Sequence, residues 1–270
     1  MKFLFICVHP DDLEFNCSNL INYLTSTDNS VDILSLTQGE FGIFLDQWKG
    51  SRLATIRKKE LINAAAINGV SAENIHFGDI IDGFVMFNSE HVVYLLERLN
   101  QLKPDIIFAP EPYYTYYWHS DHINCGRLAD YIFKKKQSLL NTTLKALYFY
   151  TTAKPTLWWP FQSTSHALKS LSFHRSQWWL LKWANLFYPI EKFNLPYRRK
   201  RGNWKFAERY RRVSRKGKNP NINFIWKVIL GKICQAHIVN PPKSHYTLLD
   251  PSTPFGQHIT RLRRKYGYAE

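Results

Sequence analysis

The feature that most constrains this chain is an alternation: short apolar runs trade places with helix-period patterns across roughly the first 150 of its 270 residues. Residues 3–8 are apolar without a break. A strand with one face in water alternates polar and apolar residues, so an unbroken run asks for a sheet covered on both faces. A helix pattern follows over 13–24, with Leu13, Cys17, Leu20, Ile21 and Leu24 on one face. The spacing then predicts strands at 31–36, 74–77, 105–109 and 144–150, and helices at 52–68, 90–102 and 121–133. Gly69 stands where the second helix should stop. Strand and helix in strict turn imply an α/β fold, a Rossmann-like, mostly parallel sheet with helices on both faces.

Beyond residue 150 the periodicity blurs, and the chain divides into a core over 1–150 and a basic, aromatic-rich region over 151–270. Charge divides the same way. Residues 1–140 hold 12 Lys or Arg against 17 Asp or Glu, whereas residues 141–270 hold 24 against 4. Residues 198–218 alone carry 11 cations and one acid, Glu208. Residues 223–233 read as strand or helix, and 261–265 are basic again. Such a surface is compatible with plain solvation, with peripheral contact to an anionic membrane, or with nucleic acid. The lack of a nucleic-acid module disfavours the last. No stretch reaches the roughly 18 apolar residues that span a bilayer, and the opening run is too short for a secretory signal. Cys7, Cys17, Cys125 and Cys234 are spaced for neither a cysteine metal site nor a disulfide framework, and they read as buried small residues. The expectation is a cytoplasmic protein, with peripheral contact at a membrane as one reading of the basic region and a solvated surface as the other.

Two segments fall where such folds gather ligands, beyond the carboxyl ends of strands. His9-Pro10-Asp11-Asp12 follows the first strand, and His119-Ser120-Asp121-His122 follows the fourth after a loop. Either could be structural: Asp12 could cap a helix, and the histidines could sit in a core. Together they supply two imidazoles and a carboxylate for one catalytic zinc, with water at the open position. His9, Asp12 and His122, with Asp11 and His119, would together fill the roles of three ligands, a base for the water's proton, and a histidine that steadies the oxyanion or protonates the leaving amine.

These residues resemble the PIG-L, or LmbE-like, family of N-acetylglucosaminylphosphatidylinositol deacetylases. The likeness rests on Val8-His9-Pro10-Asp11-Asp12-Leu13-Glu14 and His119-Ser120-Asp121-His122. Leu36-Thr37-Gln38-Gly39-Glu40, Ile56-Arg57-Lys58-Lys59-Glu60 and Ile81-Asp82-Gly83 lie between them. Val8 stands for a common Ala, Ser120 for a Pro, and Asn16-Cys17-Ser18 for a Gly-rich helix start. The resemblance implies hydrolysis of an acetamide on an amino sugar with Zn2+, or another divalent metal such as Fe2+. It implies that His9, Asp12 and His122 are the ligands, Asp11 the base and His119 the oxyanion partner. It implies too that Asp121 orients His119 and that Arg57, Asp82 and Tyr117 meet substrate. Read alone, Arg57 could instead be a solvated helix charge paired with Glu60, and Asp82-Gly83 is merely a turn signal. Tyr113, Tyr114, Tyr116 and Tyr117 read either as sugar-stacking rings or as packing. The rival expectations are a metal hydrolase of another N-acyl or amide substrate, and a non-catalytic basic binding protein. The sequence leaves the oligomeric state open.

Overall fold

The computed structural model describes residues 1–43, 45–117, 119–193 and 204–217. The expectations for residues 223–233 and 261–265, for Cys234 and for part of the basic run lie outside the described residues. Seven strands form one sheet in the order β3-β2-β1-β4-β5-β7-β6. The strands are β1 (Lys2–Cys7), β2 (Ser30–Ser35), β3 (Ile75–Phe77), β4 (Ile106–Pro110), β5 (Ala146–Tyr150), β6 (Leu157–Phe161) and β7 (Phe206–Arg212). β1 to β5 run parallel. β7 joins the β5 edge antiparallel, and β6 adds antiparallel to β7. The expected mostly parallel α/β sheet is therefore present, and the back of the chain extends it by two strands.

The unbroken apolar run of β1 has the cause inferred for it. Leu4, Ile6 and Val8 point to one face, among residues of α4 (Ser89–Leu102) and α5 (Ser120–Lys135). Phe3, Phe5 and Cys7 point to the other, among residues of α2 (Ser18–Thr25) and α3 (Ser51–Ile67). Cys7, Cys17 and Cys125 are buried free thiols, and burial pushes all three well above the ordinary thiol range. Among the described residues, no helix is long and apolar enough to cross a membrane.

One expected element is corrected. The helix read over 13–24 is two helices, α1 (Asp12–Asn16) and α2, broken at Cys17. The break is held from the far end of the chain. Glu208 on β7 accepts hydrogen bonds from the backbone N–H groups of Asn19 and Leu20, at 2.7 and 3.0 Å. A carboxylate on orphan N–H groups at a helix start is a favourable cap. Tyr210 places its hydroxyl 2.8 Å from Glu208 and 3.2 Å from the Asn16 carbonyl. Periodicity within 13–24 carries no trace of a partner so remote in sequence. Two further helices follow β6 in the chain, α6 (Ser165–Leu171) and α7 (Trp178–Lys192).

Candidate metal centre and its cleft

β1 and β4 are neighbours, and the strand order runs outward from them in opposite directions, so a crevice opens beyond their carboxyl ends. The turn after β1 carries His9, Asp11 and Asp12. The loop after β4 carries Tyr117 and leads to His119, the N-cap of α5, with Asp121 and His122 in its first turn. Gly126 seats that helix: a Cβ there would come within 2.2 Å of the Pro110 carbonyl oxygen, so only glycine lets α5 lie this close to the end of β4.

Three donor atoms converge. His9 Nδ1 lies 3.1 Å from His122 Nε2, His122 Nε2 lies 3.3 Å from Asp12 Oδ1, and His9 Nδ1 lies 3.8 Å from the same oxygen. Ligands around a tetrahedral zinc with bonds of about 2.0–2.1 Å are about 3.3 Å apart, so these donors fit such an ion. Their surroundings aim them. Asp12 Oδ2 accepts the backbone N–H groups of Val8 and His9, both at 2.9 Å, which turns Oδ1 toward the histidines. His9 Nε2 meets Asp82 Oδ1 at 3.0 Å, an arrangement that keeps the proton on Nε2 and leaves Nδ1 to bind metal. Asp82 Oδ2 is held by the Phe41 N–H at 3.0 Å, and Glu40 accepts the Asp82 N–H at 3.1 Å. Two wider groupings overlap this centre: His9 with His119 and His122, and His9 with Asp82 and Asp121.

The charges are strongly coupled. Burial alone would lower the pKa of His9, but the Asp82 charge and hydrogen bonds to Asp12, Asp121 and Asp82 outweigh it and raise it well above the usual value. Burial works against ionised Asp12 too, yet His122 and His9 hold its carboxyl well below the ordinary range. His119 is lowered, first by burial and then by the neighbouring His9 charge, so it is neutral. Its Nδ1 accepts the Asp121 N–H at 3.3 Å, which assigns the ring proton to Nε2.

The remaining expected residues divide. Arg57 is buried, and its guanidinium donates to Asp11 Oδ1 at 2.6 Å and to the Gly39 carbonyl at 3.0 Å. Gly39 has φ of 65°, and a Cβ there would strike that guanidinium. Glu60, the alternative partner, is engaged elsewhere by Ser176. Asp121 is fully buried. Its carboxylate accepts the Gly83 N–H at 2.8 Å and lies 3.8 Å from His9 Nε2, so its backbone rather than its carboxylate holds His119. Of the four tyrosines, Tyr113 is tied to Asp130 and Tyr116 to Glu191, while Tyr114 packs beneath Lys154 and Arg211. Tyr117 alone sets its ring edge-on to His122, at 4.8 Å between centroids.

The centre opens into a cleft of about 480 Å³ lined by Asp11, Arg57, Asp82, Tyr117 and His119. Lys49, Gln177, Trp179 and Leu180 also line it. The last three belong to the blurred half of the sequence, where no motif announces them. Beyond Tyr117 a second, more apolar pocket of about 270 Å³ reaches the same Asp12 and His122, walled by Phe15, Leu180, Phe187 and Tyr188. Thr151 lines it with φ of 59°, rare for a β-branched residue, and its hydroxyl donates to Asn16 Oδ1.

A family model described as GlcNAc-PI de-N-acetylase, PIG-L, matches residues 4–133, the span that bears every one of these donors. Over residues 4–133, just under half of the chain, the sequence is similar to the PIG-L family. Solved structures agree. The N,N'-diacetylchitobiose deacetylase from Pyrococcus horikoshii is 26% identical, with a TM-score of 0.67 over 78% of this chain and 83% of that one. The conserved protein TT1542 from Thermus thermophilus is 22% identical, with a TM-score of 0.64 over 82% and 98%. GalB, a 4-carboxy-2-hydroxymuconate hydratase from Pseudomonas putida, is 17% identical, with a TM-score of 0.61 over 82% and 99%, and shares the fold. No curated protein matches the chain significantly. The PIG-L match over residues 4–133 and the likeness to a deacetylase support hydrolytic N-deacetylation as the general activity.

Proposed function

We propose that the chain removes the N-acetyl group from an amino sugar of the N-acetylglucosamine type, using a divalent metal held by His9, Asp12 and His122. The convergence of those three donor atoms, with Asp11 beside them in the cleft wall, carries the reading. Zinc or ferrous iron bound there would supply Lewis-acid polarisation of the acetyl carbonyl and acidify water. Arg57 holds Oδ1 of Asp11, and among the described residues no hydrogen bond falls on Oδ2, which is left to take the proton of the attacking water. His119 donates a hydrogen bond from its Nε2–H to the oxygen that gains charge, as a neutral, preoriented group that keeps its proton. Asp11 then returns its proton to the leaving nitrogen, so acetate and a free amine depart. Tyr117 closes one side of the cleft, where its ring offers an apolar face to the sugar.

Metal content by elemental analysis, paired with acetate release across N-acetyl sugars, their glycosides and simple N-acetyl amines, tests this. We expect one ion per chain, lost in His122→Ala, and acetate from an N-acetyl sugar. Unchanged metal in His122→Ala would remove the ligand set. Release from simple amides alone would remove the sugar.

A further inference from the structure

We infer that the outward face of α7 is a docking surface for an anionic lipid bilayer, set beside the mouth of the cleft. α7 runs Trp-Trp-Leu-Leu-Lys-Trp-Ala-Asn-Leu-Phe-Tyr-Pro-Ile-Glu-Lys. At 100° per residue its inward face is Ala184, Tyr188 and Lys192, all buried. Its outward arc holds Trp178, Trp183, Leu186, Phe187 and Ile190. These are large apolar side chains, with 62% of Trp178 and 64% of Ile190 exposed. An apolar arc this continuous on a described surface marks an interaction site.

Charge selects the partner. Residues 141–190 contain five Lys or Arg and no Asp or Glu. Lys182 on the exposed arc, with Arg175 and Lys169 just before the helix, are exposed cations. A helix with Trp and Phe on one arc and cations at its rim suits the boundary between acyl chains and anionic headgroups. The acid on α7, Glu191, is itself paired with Lys192 and Arg209, so the exposed charge around the arc is basic, which a protein partner of equal apolarity would not require. Position supplies a second argument. Leu180 lines both cavities at the metal centre, and Phe187 lies in the wall of the apolar pocket as well as on the exposed arc. A bilayer seated on α7 is therefore continuous with a pocket that reaches Asp12 and His122, and an amino sugar carried on a lipid enters without leaving the surface. Only this last step rests on the deacetylase reading; the docking does not.

The test is flotation of the full chain with vesicles of 70:30 phosphatidylcholine:phosphatidylglycerol and of phosphatidylcholine alone, at low and at 0.5 M salt, with tryptophan emission read alongside. We expect binding to the anionic vesicles that persists in part at high salt, with a blue shift of emission. In Trp183→Ser/Ile190→Ser, partitioning should fall at least tenfold while the circular dichroism and metal content stay unchanged. Both side chains are exposed, so the variant folds. Equal partitioning of the variant would overturn the inference by assigning binding to the basic chain at large. Failure of the parent protein to float would overturn it too. So would a dimer that the variant converts to monomer, since a second copy would then own this face. Acetate release plays no part in these readouts, so failure of docking and failure of the chemistry are separate results.

Discussion

Asp11 is asked to do two things, and removing it should expose both. Its carboxylate lies 2.6 Å from the Arg57 guanidinium, with the two side chains 13% and 3% exposed. Asp11→Ala leaves a buried cation with the Gly39 carbonyl at 3.0 Å and the more distant Asp82 charge for company. Breaking one side of a buried pair costs about 3–5 kcal/mol, and the surviving partners place this case at about 3 kcal/mol. With an m-value of about 3 kcal/mol/M for a chain of this size, the urea midpoint should fall by about 1 M. Turnover should fall about 10²–10⁴-fold through loss of the base. The second variant separates the effects. Asp11→Ala/Arg57→Met removes the stranded charge, so it should regain at least about 1 kcal/mol of stability and none of the activity. Urea unfolding by circular dichroism, with metal content checked first, reads the stability, and acetate release reads the chemistry. A midpoint unmoved in Asp11→Ala would refute the buried pair. Turnover restored in the double variant would refute Asp11 as base.

Asp82→Asn should weaken zinc binding about 10–100-fold, because Asp82 orients His9 through Nε2; chelator competition measures this, and unchanged affinity would confine Asp82 to substrate. The raised pKa of His9 gives a signed pH dependence. Without metal, the stability His9 contributes is complete below about 6.5 and fades as pH rises through its raised folded value. Zinc must displace that proton, so its affinity should drop about tenfold per pH unit below the raised value, and a flat chelator-competition profile between about pH 6 and 8 would contradict this. Glu208→Ala should cost about 3 kcal/mol, since the Asn19 and Leu20 N–H groups and the Tyr210 hydroxyl lose their acceptor; a urea midpoint within error of the parent would refute the cap.

The convergence of the candidate metal donors was legible in the sequence because they sit in two short segments, each against the end of a strand whose apolar pattern is unmistakable. His9 and Asp12 need only one turn, and His119 and His122 one helix start. Asp82 and Arg57 were harder. Their types could be read, but the sequence does not say that Asp82 would face His9 or that Arg57 would be buried against Asp11. Those contacts depend on how the loops after β2 and β3 fold over the crevice. The wall made by Gln177, Trp179 and Leu180 had no signal at all. α7 is apolar on most of its circumference, so its periodicity does not announce which side faces the cleft. The break at Cys17 was hidden for a related reason, since its cause is a glutamate on the last described strand.

That glutamate bears on how the chain is made. β7 slots between β5 and β6, and Glu208 steadies the start of α2, one helix after the turn that carries His9 and Asp12. As the polypeptide leaves the ribosome, residues 4–133 emerge before β7, and one border of β5 lacks its neighbour until residues 206–212 have been translated. Over that interval the nascent chain exposes an open strand border, the kind of surface chaperones shield. Completion of the sheet is thus timed by synthesis of a segment that contributes none of the converging donors His9, Asp12 and His122.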